Sequence, residues 1–86
     1  MINFDELNIH KKIKSIRELK KISRKEVADQ LNIDTRTYSY IESGDISLSI
    51  KRLCQICNVF EITIEELLNF KLSIHSEEIK NVSPKE

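Results

Sequence analysis

The sequence predicts an all-α protein, a compact bundle of five short helices. Its 86 residues include one glycine and one proline, a composition that suits helices better than a turn-rich sheet. Apolar residues recur at the i, i+3 and i+4 spacing of amphipathic helices. Two capping boxes, Ser23 with Glu26 and Thr63 with Glu66, mark helix starts. A chain of this length makes one domain around one core.

The first predicted helix spans about residues 9 to 20. Ile9, Ile13 and Ile16 are spaced i, i+4 and i+7, and the apolar stripe continues to Leu19. Asn8 precedes the stripe and is expected to cap the helix N-terminus. The whole stripe, Leu19 included, is therefore expected to face the core.

A tight turn separates the next two predicted helices. Ser23 caps a helix over about residues 24 to 31, and Asn32 ends it because asparagine tolerates the left-handed conformation. Asp34 caps a helix over about residues 35 to 43, which ends at the chain's only glycine. Helices joined by so short a connection cross steeply, as in a helix-turn-helix.

These two helices each have an apolar side. The residues expected to face inward are Val27, Ala28, Leu31, Tyr38 and Ile41, with Ile33 plugging the core from the turn. The residues of the second of these helices expected to face outward are Thr35, Arg36, Ser39 and Tyr40.

Two more helices complete the predicted bundle. Ser49 caps a helix over about residues 50 to 60, whose core stripe is Leu53, Ile56, Cys57 and Phe60. Thr63 opens a last helix over about residues 64 to 70, with Leu67 and Leu68 turned inward. The expected organisation is an N-terminal extension over residues 1–8, a helical domain over residues 9–70 and a polar tail over residues 71–86.

Charge is unevenly distributed along this formally neutral chain. Residues 10 to 25 hold eight lysines and arginines against one acid, whereas residues 61 to 86 hold six acids and three lysines. Such a basic strip is either an electrostatic footprint for phosphates or a solvated helix face. The neighbouring helix-turn-helix pattern favours the footprint.

No pattern of catalytic, cofactor-binding or metal-binding residues is present, so we expect a non-enzyme without cofactors or metal. Cys54 and Cys57 form a C-x-x-C pair inside a predicted helix, with Cys57 on its core face. A structural zinc site needs two further ligands, and His10 and His75 stand alone at opposite ends of the chain. We interpret both cysteines as small buried apolar residues.

The expected location is the cytoplasm. Asp5 and Glu6 interrupt the apolar residues of the N-terminus, which excludes a signal-peptide layout. No apolar run approaches the roughly 18 residues that a membrane span needs.

Many positions fall in the order and spacing of a known family. They are Ile13, Ile16, Arg17, Ile22, Ser23, Glu26, Val27, Ala28, Leu31, Ile33, Ile41, Glu42, Gly44, Ser49, Ile50, Leu53, Ile56, Cys57, Phe60, Ile62, Leu67 and Leu68. Over about residues 9 to 69 the chain resembles the Cro/CI-type helix-turn-helix family, also called XRE or lambda-repressor-like. The resemblance implies a lambda-repressor-like DNA-binding domain whose partner is double-stranded DNA.

The resemblance also implies which residues contact bases. In this family the N-terminal part of the third helix enters the major groove, and the matching positions are Thr35, Arg36 and Tyr40. Arg36 suits a bidentate contact to guanine, the alternative being a surface ion pair with a nearby acid. Thr35 is either a contact to a thymine methyl or a phosphate, or an ordinary first-turn residue. Tyr40 is either a stacking residue or a simple exposed tyrosine.

Phosphate contacts are implied at the edges of the same motif. Arg24 stands where the family usually has a glutamine that holds a phosphate. Weaker candidates, each with a solvated surface as the alternative, are Lys25, Thr37, Ser39 and Ser43. Arg17 is interpreted as a brace to an acid such as Glu42, with a phosphate contact as the alternative.

The chain departs from the family pattern in several places. Lys21, Asn32 and Glu61 replace family glycines, so two residues with a Cβ are expected in unfavourable backbone conformations at about 1 kcal/mol each. Asp34 puts a carboxylate where the family often caps with Ser or Thr, close to the expected phosphates. Tyr38 replaces an aliphatic residue, so its hydroxyl must reach water or a partner.

Two functions follow as hypotheses. The first is a sequence-specific transcriptional regulator, a repressor, that binds a two-fold operator as a homodimer. Apolar residues that would either form the dimer interface or finish the core are Ile2, Phe4, Ile64, Phe70, Leu72 and Ile74. The second is a protein-interaction module, such as the DNA-binding antitoxin of a toxin-antitoxin pair or an anti-repressor, with a toxin or regulator as partner. Metal-linked regulation through the cysteine pair is a remote third.

Overall fold

The structure, a computed structural model, describes residues 8–72 and is all-helical over them. Its five helices are α1 Ile9–Leu19, α2 Arg24–Leu31, α3 Thr35–Ser43, α4 Ile50–Phe60 and α5 Ile64–Asn69. The predicted fold class is confirmed. The bounds of α2, α3 and α4 are those expected, whereas α1 and α5 each end one residue earlier. No helix among the described residues is long and apolar enough to cross a membrane.

Side-chain caps begin four of these helices as predicted. Ser23 and Thr63 form complete capping boxes with Glu26 and Glu66. Asp34 and Ser49 accept hydrogen bonds from the backbone amides at the third position of α3 and α4. The expected cap at Asn8 is wrong, because Asn8 lies in the left-handed region with a φ of 55° and its side chain makes no cap hydrogen bond.

The core lies between all five helices, and its fully buried side chains include Ile13, Tyr38, Leu53, Ile56 and Leu67. Helix α3 packs on α1 and α2, α4 packs on α2, and α5 closes the bundle against α1 and α4. Lys12 Nζ donates to the Leu68 carbonyl oxygen at 2.6 Å, which ties α1 to the end of α5. The expected core face of each helix is confirmed with one exception.

The exception is Leu19, whose expected burial is wrong because the residue is 69% exposed. At about 100° per residue, Leu19 and Arg17 lie roughly a quarter turn to opposite sides of the stripe of Ile9, Ile13 and Ile16, and α3 packs on the Arg17 side through Glu42. The buried position near the end of α1 is instead Arg17, at 7% exposure.

Four helix ends share one backbone motif. Lys21, Asn32 and Glu61 have positive φ values of 59°, 59° and 62°, and Gly44 has a φ of 84°. The residue after each of them donates its amide hydrogen five residues back, as Ile62 does to the Cys57 carbonyl at 3.0 Å. This is the Schellman motif, and the residue after the left-handed position is an isoleucine in three of the four cases and Asp45 after Gly44. Unfavourable backbone conformations were expected at two of the three replaced glycines, and all three residues have them.

Replacing Glu61 by glycine tests the cost of this motif. Glu61→Gly is expected to raise the free energy of unfolding by about 0.5–1 kcal/mol, because glycine adopts a positive φ without a Cβ clash. Urea unfolding measures the change. Glu61→Ala is the matched control, since it removes the same charge and keeps a Cβ. A glycine variant no more stable than the alanine variant would contradict this interpretation.

Candidate nucleic-acid interface

The first two turns of α3 carry an exposed polar surface, which we call the recognition face and define as Thr35, Arg36 and Tyr40. All three side chains are exposed. They point away from Tyr38 and Ile41, which are buried against the other helices at 0% and 4% exposure. The three residues predicted to contact bases therefore share one solvent-exposed side of α3, next to the turn that follows α2.

Two residues of the recognition face contact each other. Arg36 Nε donates to Tyr40 Oη at 3.0 Å, and the Arg36 guanidinium carbon lies 5.9 Å from the centre of the Tyr40 ring. The second distance is within the range of a cation–π contact. The sequence pattern gives no reason to pair these two residues, and an acid was the expected alternative partner of Arg36. Within residues 8–72 the hydrogen bond of Arg36 is to a tyrosine instead.

Asp34 places a negative charge at the start of this surface. Its Oδ1 accepts a hydrogen bond from the Thr37 amide at 2.7 Å. Hydrogen bonding to Thr37, aided by the charge of Arg36, holds the pKa of the Asp34 carboxyl below its usual value. The carboxylate is therefore ionised at neutral pH, where it caps the positive end of the α3 dipole.

A buried carboxylate joins α3 to α1 and α2. Glu42 Oε2 accepts hydrogen bonds from Arg17 Nε and from Tyr38 Oη, each at 2.6 Å. Its Oε1 accepts from Arg24 Nε at 3.1 Å and from Arg17 Nη2 at 3.3 Å. We call Arg17, Arg24, Tyr38 and Glu42 the Glu42 network. The expected brace between Arg17 and Glu42 is confirmed, and the Tyr38 hydroxyl has the partner that its burial requires.

Charges in the Glu42 network stabilise one another. Burial alone would raise the pKa of Glu42, but the hydrogen bonds from Arg17, Tyr38 and Arg24 outweigh it and leave that pKa below the usual value. The hydrogen bond to Glu42 raises the pKa of Arg17. Burial and then the hydrogen bond to the carboxylate raise the pKa of Tyr38. Glu42 is thus ionised although its side chain is only 3% exposed.

Arg24 lies at the edge of this network and of solvent. Its side chain is 43% exposed, and its Nε donates to Glu42. The guanidinium is therefore held at the first residue of α2 while part of it faces water. The family pattern indicates Arg24 as a phosphate candidate, but the sequence gives no signal for its contact with Glu42, which lies 18 residues away.

The weaker phosphate candidates occupy different surroundings. Lys25 Nζ pairs with Asp29 at 2.9 Å on a well-exposed part of α2, a pair that contributes about 0–1 kcal/mol. Thr37 and Ser39 are half-buried. Ser43 Oγ lies 2.8 Å from Asp45 Oδ2 at the far end of α3. The structure thus separates Ser43 from the recognition face and puts an acid beside it.

The basic strip is not one continuous free surface. Lys12, Arg17, Arg24 and Lys25 are each engaged by a partner within the protein. Two more lysines line an open groove of about 890 Å³ between α1, the end of α3 and the end of α5. The residues lining this groove include Lys11, Lys14, Glu18, Leu19, Ser43, Phe70 and Leu72. No residue of the recognition face lines it.

The two cysteines differ in exposure. Cys57 is buried, and its burial raises the pKa of its thiol, with Cys54 adding to the effect. Cys54 is exposed, so the interpretation of both as buried residues is wrong for this one. Helical spacing explains the difference, because Cys57 belongs to the core stripe of α4 whereas Cys54 lies to one side of that stripe. Within residues 8–72 no group of three or more His, Cys, Asp or Glu side chains could hold a metal ion, and His75 lies outside the described residues.

Comparison with known proteins identifies a family for this chain. A family model described as helix-turn-helix matches residues 13–67, a span from within α1 into α5 that includes the whole Glu42 network and recognition face. No curated protein and no solved structure matches the chain.

Replacing Glu42 by glutamine tests the network. Glu42→Gln is expected to lower the free energy of unfolding at pH 7 by about 3–5 kcal/mol, because it removes the buried counter-charge of Arg17 and leaves only the exposed Glu18 carboxylate nearby. Thermal and urea unfolding measure the loss. Glu18→Gln is the matched control, since Glu18 is exposed and its carboxylate lies 3.9 Å from Arg17.

The same variant tests the pH dependence. A carboxyl whose pKa is lower in the folded state stabilises the fold above the unfolded pKa, and loses that contribution as pH falls through the folded pKa. The wild-type protein is therefore expected to lose stability below about pH 4.5, the usual value for glutamate. The difference between wild type and Glu42→Gln should shrink from pH 7 to pH 3. A constant difference would contradict the ionised, hydrogen-bonded Glu42.

Proposed function

Because the chain belongs to the Cro/CI-type helix-turn-helix family of DNA-binding domains, we propose that it is a sequence-specific transcriptional repressor. It reads the major groove of double-stranded DNA with α3 and binds a two-fold operator as a homodimer. The observation that carries this proposal is the recognition face, a solvent-exposed arginine beside polar and aromatic side chains at the N-terminal end of α3. That end of a recognition helix is the part that reaches base edges.

The recognition face supplies the base contacts in this proposal. Arg36 donates to guanine O6 and N7, the commonest specific contact of this side chain. Thr35 contacts a thymine methyl or a phosphate from the first turn of α3. Tyr40, 39% exposed, supplies an aromatic surface beside Arg36.

Phosphate contacts would position the domain. Arg24 is the principal candidate, because its guanidinium is anchored through Nε and has terminal nitrogens left for a phosphate. Lys25 joins it by exchanging an exposed ion pair of little net value for a phosphate contact. Thr37 and Ser39 are secondary candidates on α3. Ser43 is the weakest, since Asp45 beside it repels a phosphate.

Dimerisation supplies the affinity that a single recognition helix lacks. The proposed interface uses apolar residues of α5 and of the termini. Ile64 and Phe70 are half-buried and packed against the core, so each has surface left for a second subunit. Leu72 is also half-buried, whereas Ile2, Phe4 and Ile74 lie outside the described residues.

A second candidate function is a protein-interaction module, such as a DNA-binding antitoxin or an anti-repressor. The observation that favours a protein partner is the groove beside α1, where Leu19 is 69% exposed. Phe70 and Leu72 line the same groove. In this version a toxin or another regulator covers the apolar side chains.

Selection of binding sites from random duplex DNA at low salt tests the proposed function. The expected result is enrichment of a roughly palindromic site with two half-sites about one helical turn apart. Failure to enrich any site would contradict the repressor. Binding to no duplex at all would favour the interaction module instead.

Two arginine variants test the proposed division between base and phosphate contacts. Arg36→Ala is expected to lose about 1–3 kcal/mol of discrimination at one base pair, because only Arg36 reads that guanine. Arg24→Ala should weaken binding to all sequences alike and reduce the salt slope by about one. Fluorescence anisotropy on the selected duplex and its single-base variants measures both. The division would be wrong if the two variants changed affinity and base preference in the same way.

Asp34→Asn tests the effect of the carboxylate on DNA affinity. Asparagine caps a helix about as well as aspartate, so the fold should be retained. Removing the charge beside the proposed phosphates is expected to tighten binding by about 3- to 10-fold at low salt and less at high salt. Glu65→Gln on α5 is the control for net charge. Equal gains in both variants would refute a local effect of Asp34.

A further inference from the structure

Arg36 and Tyr40 stand one helical turn apart on α3 and interact in two ways. The hydrogen bond from Arg36 Nε to Tyr40 Oη measures 3.0 Å, and the guanidinium carbon lies 5.9 Å from the ring centre. Both distances describe one placement of the guanidinium, beside the hydroxyl end of the Tyr40 ring, and the hydrogen bond is the contact that restricts the Arg36 torsions. An exposed arginine without such contacts samples many rotamers.

Pre-organisation of this kind favours binding, because less conformational freedom is lost when the ligand arrives. The arginine fork already loses less freedom than lysine for each hydrogen bond that it forms. A neighbouring aromatic acceptor reduces the loss further. Tyr40 therefore has a use that does not require it to touch DNA.

The hydrogen bond also limits which donors remain. A guanidinium has five N–H groups, one on Nε and four on the two terminal nitrogens. Guanine offers two acceptors, O6 and N7, in the major groove. A side-on contact would use Nε and one terminal nitrogen, but Nε is committed to Tyr40. An end-on contact through Nη1 and Nη2 leaves the Tyr40 hydrogen bond intact.

We propose that Tyr40 is a positioning residue that holds Arg36 for end-on recognition of one guanine in each half-site. This inference rests on the proposed function and adds to it the division of labour between the two side chains. Arg36 makes the base contact, and Tyr40 acts through Arg36.

A double-mutant cycle tests the proposal. Tyr40→Phe keeps the ring and removes the acceptor of the Arg36 hydrogen bond. It is expected to weaken binding to the selected duplex by about 3- to 10-fold. The same substitution should have no effect in the Arg36→Ala background, or on a duplex in which the recognised guanine pair is exchanged for an adenine pair. An undiminished effect of Tyr40→Phe in the Arg36→Ala background would overturn the proposal, because Tyr40 would then contact DNA by itself.

A readout on the free protein separates this proposal from the proposed function. The NMR signal of the Arg36 Nε hydrogen should be observable in the wild type and should broaden or shift on Tyr40→Phe, as its acceptor is lost. Arg52 Nη1, which donates to Gln55 Oε1 at 3.0 Å on α4, supplies an internal reference outside the recognition face. An unchanged Arg36 signal overturns the positioning role whatever DNA the protein binds. A changed signal in a protein that binds no duplex supports the contact but overturns its use in reading guanine.

Discussion

The buried carboxylate of Glu42 is the interaction on which the helix-turn-helix depends. It accepts hydrogen bonds from Arg17 of α1, Arg24 of α2 and Tyr38 of its own helix. A buried charge is tolerated only when paired and hydrogen-bonded. Rotation or sliding of α3 against α1 or α2 would therefore unpair charged groups. The carboxylate thus fixes the orientation of the exposed side of α3.

This constraint connects the fold to the proposed DNA surface. Glu42 holds Arg24 at the start of α2, while the same helix that carries Glu42 presents Arg36 and Tyr40 to solvent. One side chain thus fixes the position of Arg24, the proposed phosphate-binding group, relative to Arg36, the proposed base-reading group. The arrangement lowers the positive charge of the surface, because Glu42 offsets part of the charge of Arg24 and Asp34 adds a carboxylate at the start of α3. The proposed mode of binding accordingly relies on few, well-positioned contacts and on a second subunit.

Local features of this fold could be predicted from the sequence, and features set by tertiary contacts less completely. Helix bounds and four caps follow from residues within one turn of each other, such as Ser23 and Glu26. The predicted burial of Leu19 and the predicted helix cap at Asn8 are wrong, because residue type alone decides neither burial nor backbone conformation. The spacing of Tyr38 and Glu42 offered a signal for their hydrogen bond, whereas Arg24 and Glu42 are 18 residues apart. The Arg36 contact with Tyr40 depends on rotamers that spacing does not specify. The base and phosphate contacts remain predictions.

The most direct measurement is amide chemical-shift mapping of the isotope-labelled chain during titration with its selected duplex. The central claim is that the Glu42 network presents the start of α2 and the first two turns of α3 as one surface. The expected result is that residues 24–25 and 35–40 shift together, with the same dependence on DNA concentration, while the exposed Cys54 of α4, which belongs neither to this surface nor to the proposed dimer interface, does not shift. Shifts concentrated around Leu19 and Phe70 with α3 unchanged, or shifts of α3 without Arg24, would contradict it.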